Sequence, residues 1–433
     1  MSEHPGGALP PPERAANPRA ATPGAGHASW APESAPAWSP WRAVVGFGVV
    51  SLAADMVYEG ARSITGPLLA SLGASALLVG LVTGAGEALA LVLRLPFGTR
   101  ADRSGGYWPM TIAGYGLTAV CVPAMAVTPF LGAAGLAVGC LLVLAERTGK
   151  AVRSPAKSTL LAHAAGPVGL GRGFGVHKAL DQVGAFAGPL LVAAVAALTG
   201  ALWPALAVLA VPGAAAMGLL VWLRRRTGDP LREQARAAGA APDRTSLLRA
   251  GRDLPRAFWL FAASAGLATA GLVTFGVISY HLVTAQLVAP AAVPLVYAAA
   301  MAAEAVAALA TGWAHDRWGG RILIVLPLMV AAVPALAFSD AVGIAIIGVL
   351  IWGAATGLQD STVKALVAQL VPAGRRATGY GLFAAVQGVA AVAGGALAGA
   401  LSARSVPALV AVVAVLQLAA LALLIGTLRT RRA

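Results

Sequence analysis

Charged residues are scarce in this chain: Asp, Glu, Lys and Arg make up 11% of its 433 residues, where a soluble protein carries about a quarter. So few charges cannot cover a water-facing surface, which excludes an ordinary soluble domain. Cysteines number two, Cys121 and Cys140, both inside apolar runs. That excludes a disulfide framework, and no metal-ligand spacing is present, so neither a metal nor another cofactor is expected. A phosphate-binding Gly-rich loop ending in Lys-Ser/Thr is missing, which argues against ATP-driven pumping within the chain. No His-Glu-x-x-His and no Ser/His/Asp set at matching depth occurs, so an enzyme is not expected. Acidic residues are outnumbered 17 to 31, giving a net charge of +14. On a soluble chain this would raise nucleic acid as a partner. Here the basic residues fall between apolar runs, so they read as signals of membrane orientation instead.

What the chain does have is apolar length. Hydrophobic residues reach 58% and mean hydropathy is +0.78. The solvent is lipid, and the unit is an apolar run of about 20 residues. Strand-type alternation is absent, and helices satisfy their own backbone groups in hydrocarbon. The sequence predicts an all-α membrane protein of twelve spans: 43–70, 77–98, 108–129, 132–152, 173–198, 203–223, 257–285, 291–312, 322–338, 341–363, 377–400 and 406–427. The fourth and tenth are expected to continue as polar helix beyond the membrane. Residues 1–40, rich in Pro, Ala, Gly and Ser, are expected to form a disordered tail. No cleavable signal peptide is evident, because the segment after Trp41 is too long for a signal core.

Charge asymmetry orients the spans. Arg14, Arg19, Arg42, Arg100, Arg103, Arg153, Lys157, Arg172, the run from Arg224, Arg317, Arg321, Arg375, Arg376 and the closing RTRRA all fall on one side. The opposite loops carry only Asp340 and Arg404. Both termini are therefore expected in the cytoplasm, with the protein multi-pass in the cytoplasmic membrane. The polar connection at 224–256 divides the spans six and six, into bundles at 41–223 and 257–428, followed by a basic tail at 429–433.

A short polar phrase occurs twice. Gly98–Gly106 reads GTRADRSGG and Gly312–Arg321 reads GWAHDRWGGR; both hold Gly, three residues, Asp-Arg, one residue and Gly-Gly. Each falls between the second and third spans of its half, so the chain reads as two related six-helix bundles with pseudo-twofold symmetry. On Gly98, Asp102, Arg103 and Gly105, and on Gly312, Asp316, Arg317, Gly319 and Arg321, the sequence resembles the major facilitator superfamily over about residues 41–428. The resemblance implies that superfamily's fold, a monomer, and a gating role for Asp102 and Asp316. Each would meet a helix dipole or an arginine of the other bundle in one conformation and release it in another. The first copy departs from the pattern, since Gly106-Tyr107 stands where a basic run is usual.

A second likeness lies in GAFAGPLL, Gly184–Leu191. Gly184, Gly188 and Pro189 resemble the core of a motif associated with antiporters, although Val192-Ala193 replaces its customary Gly pair. The stretch from Asp55 to the first Asp-Arg copy is similar to the opening helices of drug-type proton antiporters.

Ionisable residues inside a span are costly and so are functional candidates. Asp55, Glu59 and Arg62 share one face of the first span. Two acids and one base leave a carboxylate over, a plausible proton carrier. Glu87 lies midway along the second span, on the face of Arg94. Glu146 and Arg147 end the fourth span, and Arg147 resembles the family's helix-4 arginine implicated in proton transfer. Lys150, Arg153 and Lys157 are expected to snorkel to the cytoplasmic face. His177 and Asp181, four apart, are expected to pair, as a hydrogen-bonded proton relay or as an interfacial ion pair near the cytoplasmic end, and Glu304 is deep and single. Trp259, Phe275, Tyr280, Trp352 and Phe383 are expected to supply an apolar binding wall. The expected function is secondary active transport of a small molecule, proton-coupled efflux first and proton symport second, with a non-transporting membrane sensor as a rival from another class.

Overall fold

The computed structural model describes residues 39–229, 231, 254–371 and 376–430. The expected tail, apart from its last two residues, and most of the expected linker lie outside the described residues. Among those described, eleven helices are long and apolar enough to cross a membrane, and Val342–Leu358 is a shorter apolar helix. Together they match the twelve expected spans.

The first half holds α1 (Pro40–Ser71), α2 (Ala76–Ser104), α3 (Tyr107–Phe130), α4 (Gly132–Val168), α5 (Leu170–Thr199) and α6 (Leu202–Thr227). The second holds α7 (Arg256–Thr284), α8 (Val293–Trp318), α9 (Gly319–Ala337), α10 (Val342–Leu358), α11 (Arg376–Ser402) and α12 (Val406–Thr430). Local chemistry sets the ends. Ser39 caps α1 by accepting from the Arg42 amide at 3.4 Å, with Pro40 as the first helical residue. Ser75 caps α2 through the Leu78 amide at 3.2 Å. Gly105 (φ 59°) and Gly319 (φ 64°) close α2 and α8 in the left-handed region that favours glycine. The glycines of the repeated phrase are thus helix terminators, while most of the phrase itself is helical rather than loop.

Two irregularities interrupt helices of the second half. Residues 272–274 interrupt α7, and a π-turn at Gln359–Val363 carries α10 into a further helix, Lys364–Leu370. Backbone freed in this way is tolerated only where protein or a water-filled cavity satisfies it. Helix α4 runs without a break to its polar end, as expected.

Within the first half α1 packs on α5 and α6, and α3 on α4; within the second, α8 packs on α10, α7 on α12 and α9 on α10. Between the halves, α2 meets α11, α5 meets α8 and α1 meets α7. An internal twofold relating α2 to α8 and α5 to α11 turns the first of these contacts into the second, while α1 and α7 meet at the axis. This is the two-bundle architecture read from the repeat. The α2–α11 seam is made backbone to backbone, with Gly80 and Gly84 facing Ala391, Gly395 and Gly399. In lipid such close approach supplies the association that a hydrophobic drive supplies in water.

With twelve crossings, both ends of the described chain, Ser39 and Thr430, fall on one face of the bundle, here termed the terminal face; the other is the far face. Near the far face α1 and α7 touch where Gly66 meets Gly276 and Ser279. The Thr83 and Thr274 hydroxyls share a hydrogen bond at 2.8 Å nearby. Toward the terminal face α4 packs only with first-half helices, among the packed pairs, and α10 only with second-half helices. A gap opens between them.

Candidate functional site

That gap is a cavity of about 190 Å³. Arg62, Glu87, Arg94 and Lys150 line its first-half wall. Trp352, Thr356, Gln359, Asp360, Phe383 and Gln387 line the second-half wall, together with Thr269, Leu272, Val273 and Thr274 of the interrupted α7.

The charged wall is one connected network. Arg62 reaches Glu87 at 3.1 Å and Glu59 at 3.8 Å. Arg147 reaches the same Glu87 oxygen at 3.5 Å and its chain neighbour Glu146 at 3.6 Å. Glu146 accepts from Thr118 at 3.2 Å. Arg147 also donates to the Tyr58 hydroxyl, and the Lys150 ammonium sits 3.9 Å from the centre of the Tyr58 ring. The three carboxylates Glu59, Glu87 and Glu146 therefore face the three cations Arg62, Arg147 and Lys150. Mutual compensation lets these groups remain at membrane depth, where an isolated charge would cost several kcal/mol.

A second cluster lies one turn and more toward the terminal face. The Asp181 carboxylate accepts from Ser51 at 2.8 Å and from Lys178 at 2.9 Å. Lys157 donates to Ser51 at 3.2 Å and meets His177 Nε2 at 3.1 Å. The packing that sets these distances comes from Gly184 and Gly188, which place α5 directly on the α1 backbone at Leu52 and Met56. Pro189 is buried beside them.

The structure brings Glu59, Arg62, Glu87, Glu146, Arg147, His177 and Asp181 into these two clusters, and Asp55 lies on α1 one turn from Ser51 and one from Glu59. Three sequence expectations need correction. His177 meets Lys157 rather than Asp181, which is taken by Ser51 and Lys178. Lys150, Arg153 and Lys157 do not snorkel outward. Arg153 is 4% exposed, donates to Thr118 and lies over the Tyr115 ring; neutral partners on α1 and α3 draw all three inward. Of the five expected wall residues, Trp352 and Phe383 line the cavity; Trp259, 40% exposed beside Phe258, does not, nor do Phe275 and Tyr280. Phe275 and Trp352 pack together with Tyr297, and Trp352 donates to the Val273 carbonyl at 2.7 Å, satisfying the α7 interruption.

Glu304 sits on α8, where Gly357 of α10 meets its backbone. In the repeated phrase Asp102 is exposed and accepts from Tyr107 at 3.0 Å, within its own half. Gly98 faces Pro155 of α4, and Arg103 is exposed. Gly312 is helical, Arg317 lies over Trp313, and Arg321 is exposed. The Asp316 side chain lies outside the described residues. Tyr58 and Tyr297 were not among the sequence candidates. Tyr297 donates to Glu59 across the two halves, and Tyr58 stacks with two cations. The signal available for Tyr58 was its place beside Glu59 on a span rich in charge.

Comparison with known proteins follows this geometry. The family described as Major Facilitator Superfamily matches residues 43–288 and 276–433. An uncharacterized protein of Mycobacterium tuberculosis, Rv2265, is 53% identical over 366 residues, covering 84% of this chain and 87% of that one. An uncharacterized protein of Mycobacterium bovis, Mb2288, matches to the same extent. Among solved structures, the nucleoside transporter NupG superposes with TM-score 0.66 at 13% identity, over 90% of this chain and 99% of that chain. A POT family transporter in complex with 5-aminolevulinic acid gives 0.67 at 13%, over 89% and 95%. A bacterial homolog of the human lysosomal transporter Spinster, inward-facing and unoccupied, gives 0.62 at 16%, over 90% and 95%. At these identities the structures share the fold with this chain.

Proposed function

Because the chain belongs to the Major Facilitator Superfamily, we propose that it is a secondary active transporter that exports a small amphipathic molecule in exchange for protons. The observation that carries this reading is the cavity. It lies between two pseudo-symmetric halves at membrane depth, is sealed toward the far face by α1, α7, α2 and α11, and opens toward the terminal face. Rocking the halves about such a site exposes it to each face in turn. The cavity opposes a charged wall to a wall of Trp352, Phe383, amide side chains and one acid, Asp360, which suits a molecule with polar and apolar parts.

Proton coupling rests on the acids at depth, Asp55, Glu59 and Glu87 in the first half. Outward direction rests on the resemblance of Gly184, Gly188 and Pro189 to the antiporter motif and on the α1–α5 contact those residues make. Basic residues gather on the terminal face, so we assign that face to the cytoplasm. The repeated phrase would latch that face when the halves close there, with Asp102 and Asp316 as the gating acids. Full-length protein in sealed vesicles tests the reading. Addition of a transported compound should release an imposed pH gradient, read by a lumenal pH dye, and empty vesicles should not respond. A compound that crosses at the same rate with and without the gradient would refute the coupling.

A further inference from the structure

The cations of the cavity wall are not equally satisfied. Arg62 is held by Glu87 and Glu59. For Arg94 and Lys150, which line the same cavity, no carboxylate lies within ion-pair distance among the described residues. Lys150 enters the charge balance of the network, yet its ammonium lies over the Tyr58 ring, whose face uses none of its N–H donors in an ordinary hydrogen bond. Arg94 Nε is buried without a hydrogen-bond partner. Glu87, the acid on this wall, is already shared by Arg62 and Arg147. Two cations left in this state within a membrane protein favour a negative ligand.

The opposite wall is built for a planar body. Phe383 stacks on Phe261 with ring centroids 5.9 Å apart, and the Trp352 indole is pinned to the Val273 carbonyl. Gln359 and Gln387 donate to the Thr269 hydroxyl oxygen at 3.0 and 3.4 Å, and Gln359 Oε1 is buried without a donor. Asp360 is the acid of this wall. It repels a negative group placed on its own side and so turns an anion toward Arg94 and Lys150. We propose that the cavity takes an aromatic oxyanion, a small planar molecule whose carboxylate or phosphate is held by Arg94 and Lys150 and whose ring lies against Phe383 and Trp352. The proposal rests on reading the cavity as the transport site, and it narrows the amphipathic molecule of that reading to an organic anion. Arginine presents paired N–H donors that match either oxyanion, and lysine adds a compact charge on a flexible stem. A cationic molecule would be repelled by both residues, and a neutral one would leave both without a counter-charge, so the same wall discriminates against each.

Equilibrium binding to the full-length protein in lipid nanodiscs tests this without a gradient. The probe is radiolabelled naphthoate, with naphthyl phosphate, naphthamide and naphthylmethylamine as unlabelled competitors of matched ring size; empty nanodiscs report partition into lipid. Naphthoate should bind saturably and naphthyl phosphate should compete with it, whereas the amide and the amine should not. Arg94→Gln and Lys150→Gln should each weaken naphthoate binding about tenfold or more, and Arg94→Lys should lose less. Asp360→Asn removes the opposing charge and should tighten binding. Absence of saturable naphthoate binding, competition by the amine as strong as that by the phosphate, or loss of binding in Asp360→Asn overturns the proposal. So does binding unchanged in both Arg94→Gln and Lys150→Gln. Flux in sealed vesicles separates the two claims. Naphthoate bound as described but never carried across would leave the anion site standing and refute the transport reading. Carriage of the amide or the amine, with no anion binding, would refute the anion site alone.

Discussion

Tyr297 of α8 donates a hydrogen bond to the Glu59 carboxylate of α1, tying the second half to the first on the far-face side of the cavity. Glu59 is held on its other side by Arg62. The phenol packs against Phe275 and Trp352, so its direction is fixed by the same aromatic group that covers the α7 interruption. One contact therefore links the charged wall, the broken helix and the closure of the far face.

Tyr297→Phe keeps the packing and removes that link. A hydrogen bond to a charged group contributes about 1.5–3 kcal/mol, enough to change a two-state population by tenfold or more. Spin labels at Ser71 and Thr284, both exposed near the far face, should show a longer distance populated in the variant. An unchanged distance distribution would remove the latch from the account.

Glu87→Gln tests the charge network. Two arginines converge on this carboxylate, and loss of one member of a buried pair costs about 3–5 kcal/mol. Because the Glu87 side chain is 30% exposed, about 3 kcal/mol or less is expected, measured as reduced unfolding stability in detergent. Adding Arg62→Met should restore part of the loss, since one uncompensated cation is removed with it.

Gly395→Leu tests the α2–α11 seam. A side chain there meets the Gly80 carbonyl, and backbone cannot give way as a flexible side chain can. The variant should fold, since each half keeps its own core, but its far face should stay open and transport should stop. Cysteine substituted at Thr83, half-buried against Thr274, should become more reactive toward a water-soluble maleimide. Protection equal to the parent would contradict the seam's role.

Sidedness has its own test. Cysteine substituted at Thr430 should react with an impermeant reagent only after cells are opened, and cysteine at Gly73, in the α1–α2 turn, should react in intact cells. The reverse pattern would invert the proposed direction of transport.

Much of this architecture was legible because apolar length and charge asymmetry are properties of the chain itself. The twelve segments could be read from hydropathy, and the repeated Gly-x-x-x-Asp-Arg-x-Gly-Gly disclosed the two halves. The interruption at 272–274 was not legible. No proline marks it, and it is stabilised by Trp352, some eighty residues later, whose indole satisfies Val273. Arg153 and Lys157 misled for a related reason. In sequence they resemble the basic end of a span, but their partners Thr118, Ser51 and Tyr115 are neutral residues on other helices. The Ser51–Asp181 meeting likewise depends on the depth at which α1 and α5 cross, which Gly184 and Gly188 set and spacing along one helix cannot give.

The most direct test of alternating access is a paired distance measurement across pH in lipid, by double electron–electron resonance. One pair of labels sits at Ser71 and Thr284 on the far face, the other at Ser158 of α4 and Gln369 beyond α10 on the terminal face. The account predicts two populations in which the pairs change in opposite senses, the far-face distance lengthening as the terminal-face distance shortens, with Asp55→Asn holding the balance constant across pH. A single distance at each face, unchanged by pH and by Tyr297→Phe and Gly395→Leu, would contradict it.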